Sequence, residues 1–237
     1  MKVCMRVLFM VFVLAFVSSC EKQVAKCTEP TDNPAHHYLM GMQALEEKKI
    51  DVAQSKFERA NFCDEKFSPA HDGLAIVSAY KIKKQADAGF KKVETERAMQ
   101  HLKKAGKLAE SAEDKFDYLV ATIRVNAAVK SADWLKTAEE AYGEIRDLKI
   151  DEKKLTYYQG TEAAHYFMGL AYLKALEFRQ ARDKFADVLN AKREGKWHEK
   201  ADKAWKKTDK IVRAMAGITI GDVGKQIAVK DSVTRAD

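Results

Sequence analysis

Apolar and small residues recur at helical spacing on both sides of a short polar stretch between Tyr38 and Ala60. Met40 and Gly41 stand on the first side; Ala53, Phe57 and Ala60, four and then three residues apart, share one helix face on the second. The small residue Gly41 admits a second helix close to its backbone, and Ala53 does the same from the other side. The intervening run from Glu46 to Asp51 is polar, with Asp51 placed to cap the second helix. The pattern predicts two short antiparallel helices that cannot bury their apolar stripe alone, and so predicts neighbours of the same kind. The motif returns as Ala98, Leu102 and Ala105, as Ala138, Tyr142 and Ile145, and as Ala181, Phe185 and Val188. First helices to match carry Leu74 and Ala75, Val120 and Ala121, and Met168 and Gly169. The expected helices span residues 35–48, 51–63, 68–86, 94–110, 112–130, 133–148, 153–175, 178–192 and 194–216. In the last of these, Trp197, Ala201, Ala204, Thr208, Ile211 and Met215 form an apolar stripe; Lys196, Lys200, Lys203, Lys207 and Lys210 form a cationic one. A solvated closing face is the main reading of the lysines, and docking on anionic lipid or polymer the alternative.

This arrangement resembles the tetratricopeptide repeat (TPR), in which a small residue of the first helix precedes the Ala of the second by twelve positions; Gly41 to Ala53 and Gly169 to Ala181 keep that spacing. The intervals Ala75 to Ala98 and Ala121 to Ala138 are longer, so the middle repeats are either elongated or degenerate. The resemblance covers residues 34–216 and implies an all-α, right-handed α-solenoid of about four helix pairs plus a closing helix, followed by an irregular tail over 217–237. It also implies a concave groove lined by the first helices, where His37, Asn126, Tyr158 and Tyr166 are the candidate contacts.

The termini have a different character. Lys2 and Arg6 flank an apolar run from Val7 to Val17, and Ser18, Ser19 and Cys20 follow, as in a secretory signal peptide over residues 1–19. Val17-Ser18-Ser19-Cys20 resembles a bacterial lipobox. That resemblance implies cleavage before Cys20 and acylation there, with anchoring that faces the periplasm, and Glu21 implies release to the outer membrane. Residues 20–33 read as a flexible tether. In an oxidising envelope, Cys27 and Cys63 can form a disulfide or remain two free thiols, and the spacing does not choose. At the far end, Val233 to Asp237 resembles the helix start of an S-layer homology module. In a chain that continued past Asp237, this would imply contact between Arg235 and cell-wall polymer; otherwise the tail is simply irregular.

Composition narrows the function classes. Only three prolines occur, at Pro30, Pro34 and Pro69, which leaves the rest of the chain open to long helices. The net charge of +7 becomes +5 once Lys2 and Arg6 are removed, and no aromatic-rich basic motif accompanies it, so nucleic acid is not an expected partner. Nucleophile elbows, zinc-protease motifs, phosphate-cradling glycine loops and Cys-x-x-Cys pairs are all missing from the sequence. The six histidines offer no convincing ligand pair: His36 and His37 are adjacent and point about 100° apart on a helix. A non-catalytic protein without metal or cofactor is therefore expected. The first reading is a lipid-anchored envelope scaffold that binds protein or peptide segments; the others are attachment to cell-wall polymer, or a ligand-binding subunit of an envelope enzyme complex with a pocket near the third or fourth repeat.

Overall fold

A computed structural model describes residues 27, 29–84, 86–191, 194–217 and 221–230. Among them are ten α-helices and one 3-10 turn. The helices are α1 (Pro34–Glu46), α2 (Ile50–Cys63), α3 (Ser68–Lys84), α4 (Ala88–Leu108), α5 (Ala112–Val129), α6 (Trp134–Asp147), α7 (Glu162–Lys174), α8 (Phe178–Asn190), α9 (Lys196–Ala214) and α10 (Asp222–Ala228); the 3-10 turn is Glu152–Lys154. The described chain is all-helical. The expected signal peptide, Cys20 and Arg235 lie outside the described residues.

Local chemistry sets the helix starts. The Asn33 side chain accepts from the His36 N–H at 2.9 Å, with Pro34 in the first helical position. Asp87 accepts from Phe90 N–H at 2.6 Å and opens α4 six residues earlier than the expected start at 94. The stretch from Ala88 to Phe90 is thus helix, and the second pair is elongated. Asp51 does not cap α2: Lys49 occupies the cap position, and Asp51 sits in the first turn, where its charge meets the positive end of the helix dipole. The expected helix over 153–175 is shorter. It begins only at Glu162, after the 3-10 turn and an irregular segment in which Gln159 takes a left-handed φ of 61°. Over 217–237, α10 adds a short helix where an irregular tail was expected.

α1, α3, α5 and α7 each pack on their even-numbered successor. The odd helices α1, α3, α5 and α7 also pack side by side as one row, while α2, α4 and α6 each touch the first helix of the following pair. α3 and α5 are buried on nearly every side, consistent with sequences that carry apolar residues all round. All twelve residues expected to pack the repeats are buried, from Gly41, Ala53, Phe57 and Ala60 to Gly169, Ala181 and Phe185. The close approach is literal. A methyl group on Gly41 would stand 2.5 Å from the Phe57 ring, one on Gly73 closer still, and one on Gly169 2.5 Å from the Phe185 ring. Phe57 therefore wedges between α1 and α3, and glycine is the residue that leaves room for it.

The first and fourth pairs also share their turn. Lys48 and Leu176 both adopt a left-handed φ of 61°, and Lys49 N–H donates to Ala44 O as Glu177 N–H donates to Tyr172 O, both at 2.9 Å. One further device closes the first pair. Cys27 and Cys63 form a disulfide with a Cα–Cα distance of 5.4 Å, which ties the segment before α1 to the end of α2. Asp32 reinforces the tie by accepting from Arg59 at 2.9 and 2.5 Å and by meeting His37 Nε2 at 2.8 Å. Ligand atoms of Cys27, Asp32 and Cys63 lie within 4.8 Å of one another, but the joined sulfurs offer no thiolate to a metal. No helix among the described residues is long and apolar enough to cross a membrane.

Candidate functional site: a cationic cavity in front of the odd helices

Two further elements pack on the odd-helix row, the second of them, α9, also packing along α8. One is the segment from Leu155 to Thr161, in which Leu155, Tyr157 and Tyr158 are buried. The other is α9, whose Trp197 ring packs against Tyr157, Tyr158, Tyr166 and Phe167 and whose indole N–H donates to Tyr158 O at 2.5 Å. α9 also reaches back to α1: Lys196 and Lys200 meet Glu46 at 2.5 and 2.9 Å, and the Tyr157 hydroxyl donates to the same carboxylate. Burial pushes the Glu46 pKa up, but hydrogen bonds from Lys196, Tyr157 and Lys200 outweigh it and hold the group at about 2. Two of the five stripe lysines are thus committed to a bridge across the front of the molecule rather than to solvent.

The cover leaves an open-sided cavity of about 640 Å³ between α3, α5 and α7 on one side and α9 and α10 on the other. A second, of about 430 Å³, runs toward α1; the two share Tyr80, Lys83, Arg124, Phe167 and Leu170. Leu170, Leu173, Leu176 and Ile211 give the larger cavity an apolar wall.

Arg124 stands at the junction. It is 8% exposed, and no carboxylate pairs with it among the described residues. Its guanidinium donates to the Tyr158 hydroxyl at 3.1 Å and the Tyr80 hydroxyl at 3.2 Å, and lies 4.5 Å from the centre of the Phe167 ring. The Nε group is buried without an acceptor. Burial opposes the Arg124 charge, but the surrounding tyrosines more than offset it, so the group stays protonated. The Arg124 charge in turn draws the Tyr80 pKa down. Around this group Lys83, Lys130, Lys174 and Lys207 supply the other charges of the larger cavity, whose lining among the described residues includes no carboxylate and no histidine. Lys83, Lys130 and Lys174 form no ion pair among the described residues; Lys130 Nζ donates to the Lys174 carbonyl at 2.9 Å. Burial, then Lys83, Lys130 and Arg124, lower the Lys174 pKa to about 7. Positive charge concentrated beside apolar walls, with no carboxylate in the lining among the described residues, is an arrangement suited to binding an anion.

Of the four residues expected to line a groove, Tyr166 alone borders either of these two cavities. Tyr158 is fully buried between Phe116, Phe167 and Trp197; His37 is buried against Asp32; Asn126 is buried and donates to Thr122 O at 2.9 Å. Lys207, Thr208 and Ile211 stand on the stripes that the spacing of α9 predicts, whereas the rest of the lining follows no such pattern. A trace of Arg124 was present, as a lone cation inside the apolar run from Leu119 to Ala128. Lys83, Lys130 and Lys174 converge from three helices and share no spacing. Comparison with family models, with curated proteins and with solved structures yields no match to this chain.

Proposed function

We propose that this chain is a non-catalytic binding protein of the cell envelope, held at a membrane through Cys20, whose helix pairs are TPR-like repeats of a short solenoid. The side-by-side row of odd helices, the second helices packed between successive first helices, and the Gly–Phe contacts of Gly41 and Gly169 support the repeat reading. The long concave groove expected for peptide segments is largely occupied by α9 and the segment from Leu155 to Thr161, and the binding site is the cavity they leave. The observation that carries this reading is Arg124: a buried guanidinium with no carboxylate partner among the described residues, facing open space beside apolar walls. A buried, unpaired charge is costly, and proteins retain such groups where they act on a ligand. The wall-polymer reading has no counterpart among the described residues.

The test uses 1-anilinonaphthalene-8-sulfonate, an anion with an apolar body, on the full chain stripped of co-purified lipid. The expected result is saturable binding of one dye per chain, weakened at least 10-fold by Leu170→Trp, which fills the space shared by the two cavities. Helix content and melting should be unchanged in the variant. Dye binding that is absent, or indifferent to Leu170→Trp, overturns the proposal.

A further inference from the structure

The composition of the larger cavity says more about its occupant. A peptide needs acceptors for its backbone N–H groups, and among the described residues the side chains of the lining offer few: the cations only donate, Tyr80, Thr208 and Gln226 are the other polar side chains, and Thr208 already donates to Ala204 O at 2.7 Å. The remaining side chains of the lining are hydrocarbon. The charges, by contrast, are all of one sign among the described residues, and Tyr80 and Phe167 hold the Arg124 guanidinium in place. Three of its five N–H groups have no acceptor among the described residues, and its planar fork matches a carboxylate. A volume of about 640 Å³ lies within the range of small-molecule sites.

Resting on the proposed function above, we infer that the cavity binds a single acyl chain ending in a carboxylate, with the carboxylate at Arg124, Lys83 and Lys174 and the chain along Leu170, Leu173 and Ile211. Charge complementarity commits the head group, and the scarcity of acceptors for backbone N–H groups commits the tail. A free fatty acid and a fatty acid delivered from a membrane present the same group to the cavity.

The experiment displaces the bound dye with hexadecanoate, hexadecan-1-ol, an acidic octapeptide or phosphatidylglycerol vesicles, the vesicles with and without added hexadecanoate. Hexadecanoate is expected to displace the dye one for one, with hexadecan-1-ol at least 10-fold weaker. Lys174→Gln should weaken hexadecanoate about 10-fold and leave hexadecan-1-ol unchanged; Arg124→Gln should do more, and Lys174→Gln keeps the test valid if that core variant does not fold. Displacement by loaded but not plain vesicles assigns the membrane as a source, and displacement only by hexadecanoate in solution assigns the free acid. Equal displacement by acid and alcohol overturns the inference, as does displacement by the peptide or by plain vesicles where hexadecanoate has no effect. If the dye binds and Leu170→Trp abolishes binding, yet hexadecanoate does not compete, the ligand class is wrong and the cavity remains the site. If the dye does not bind at all, the site itself is wrong.

Discussion

The first and fourth helix pairs are one unit written twice, whereas the second and third are that unit stretched. A single offset carries Gly41 onto Gly169, Lys48 onto Leu176, Ala53 onto Ala181 and Phe57 onto Phe185, and α1 and α7 are both 13 residues long. In the middle, α3 has 17 residues and α5 has 18, and the contact face of the second helix is filled by Leu102 and Tyr142 instead of Phe. The cavity draws on both kinds of pair: the C-terminal halves of α3 and α5 carry Tyr80, Lys83, Arg124 and Ala127, and α7 of the fourth pair carries Phe167, Leu170, Leu173 and Lys174.

The most severe way to break the comparison is to remove its wedge. Phe57→Ala and Phe185→Ala should each destabilise by about 3–5 kcal/mol in denaturant unfolding, since both rings are fully buried. Phe57 serves two glycines, Gly41 and Gly73, where Phe185 serves Gly169, so the Phe57 variant should be the worse. A larger loss at Phe185 would mean that the two pairs are alike in sequence and not in energetics.

A middle-pair test with a different readout is the pH dependence of stability. Asp117 on α5 is buried, and burial raises its pKa to about 8 despite a hydrogen bond from Tyr38. Between the ordinary carboxylate value and about 8, the folded chain holds a proton that the unfolded chain has lost. Stability must therefore fall as pH rises through that window. Asp72, also buried on α3 and beside Asp117, has its pKa shifted the same way. Asp117→Asn should flatten the decline by an amount on the order of a few kcal/mol across pH 4 to 8, at the roughly 1.4 kcal/mol that each pKa unit represents. An unchanged slope would remove Asp117 as its source. Glu46 and Asp32, held low by cationic partners, shift in the opposite direction, and their contribution is lost only at more acidic pH.

Much of the packing was legible because spacing alone dictates it. Ala53, Phe57 and Ala60 must share a helix face, and a glycine opposite a phenylalanine can serve only close approach. Trp197, Ala201, Thr208 and Ile211 are buried along α9 for the same reason. The segment around Tyr157 and Tyr158 misled because aromatic residues at this density fit a helix as well as a buried loop; the signal against helix was Gly160, followed by Thr161 and Glu162 where the helix begins. Tyr158 then lies in the core rather than in a groove, because α9 folds over it. The cavity was illegible in a deeper sense. Lys83, Lys130 and Lys174 each look like an ordinary solvated residue at the end of a helix, and only tertiary packing brings them to Arg124.

The finest test asks whether one substitution changes sign between the repeated and stretched pairs. Alanine in place of glycine favours a helix by about 1 kcal/mol wherever there is room. At Gly41 and Gly169 there is none, because the new methyl would meet an aromatic ring held in the core. Overpacking of about 1–3 kcal/mol exceeds the propensity gain, for a net loss on the order of 1 kcal/mol. Gly143, on α6 of the third pair, is the counterpart: a methyl there meets nothing within 4 Å, so Gly143→Ala should stabilise by up to about 1 kcal/mol and raise the melting temperature. If all three substitutions stabilise, the Phe wedges yield more easily than their burial implies, and the glycines of the first and fourth pairs are not what sets helix separation. If Gly143→Ala destabilises as well, the third pair is packed as tightly as its neighbours, and the contrast between repeated and stretched pairs does not extend to α6.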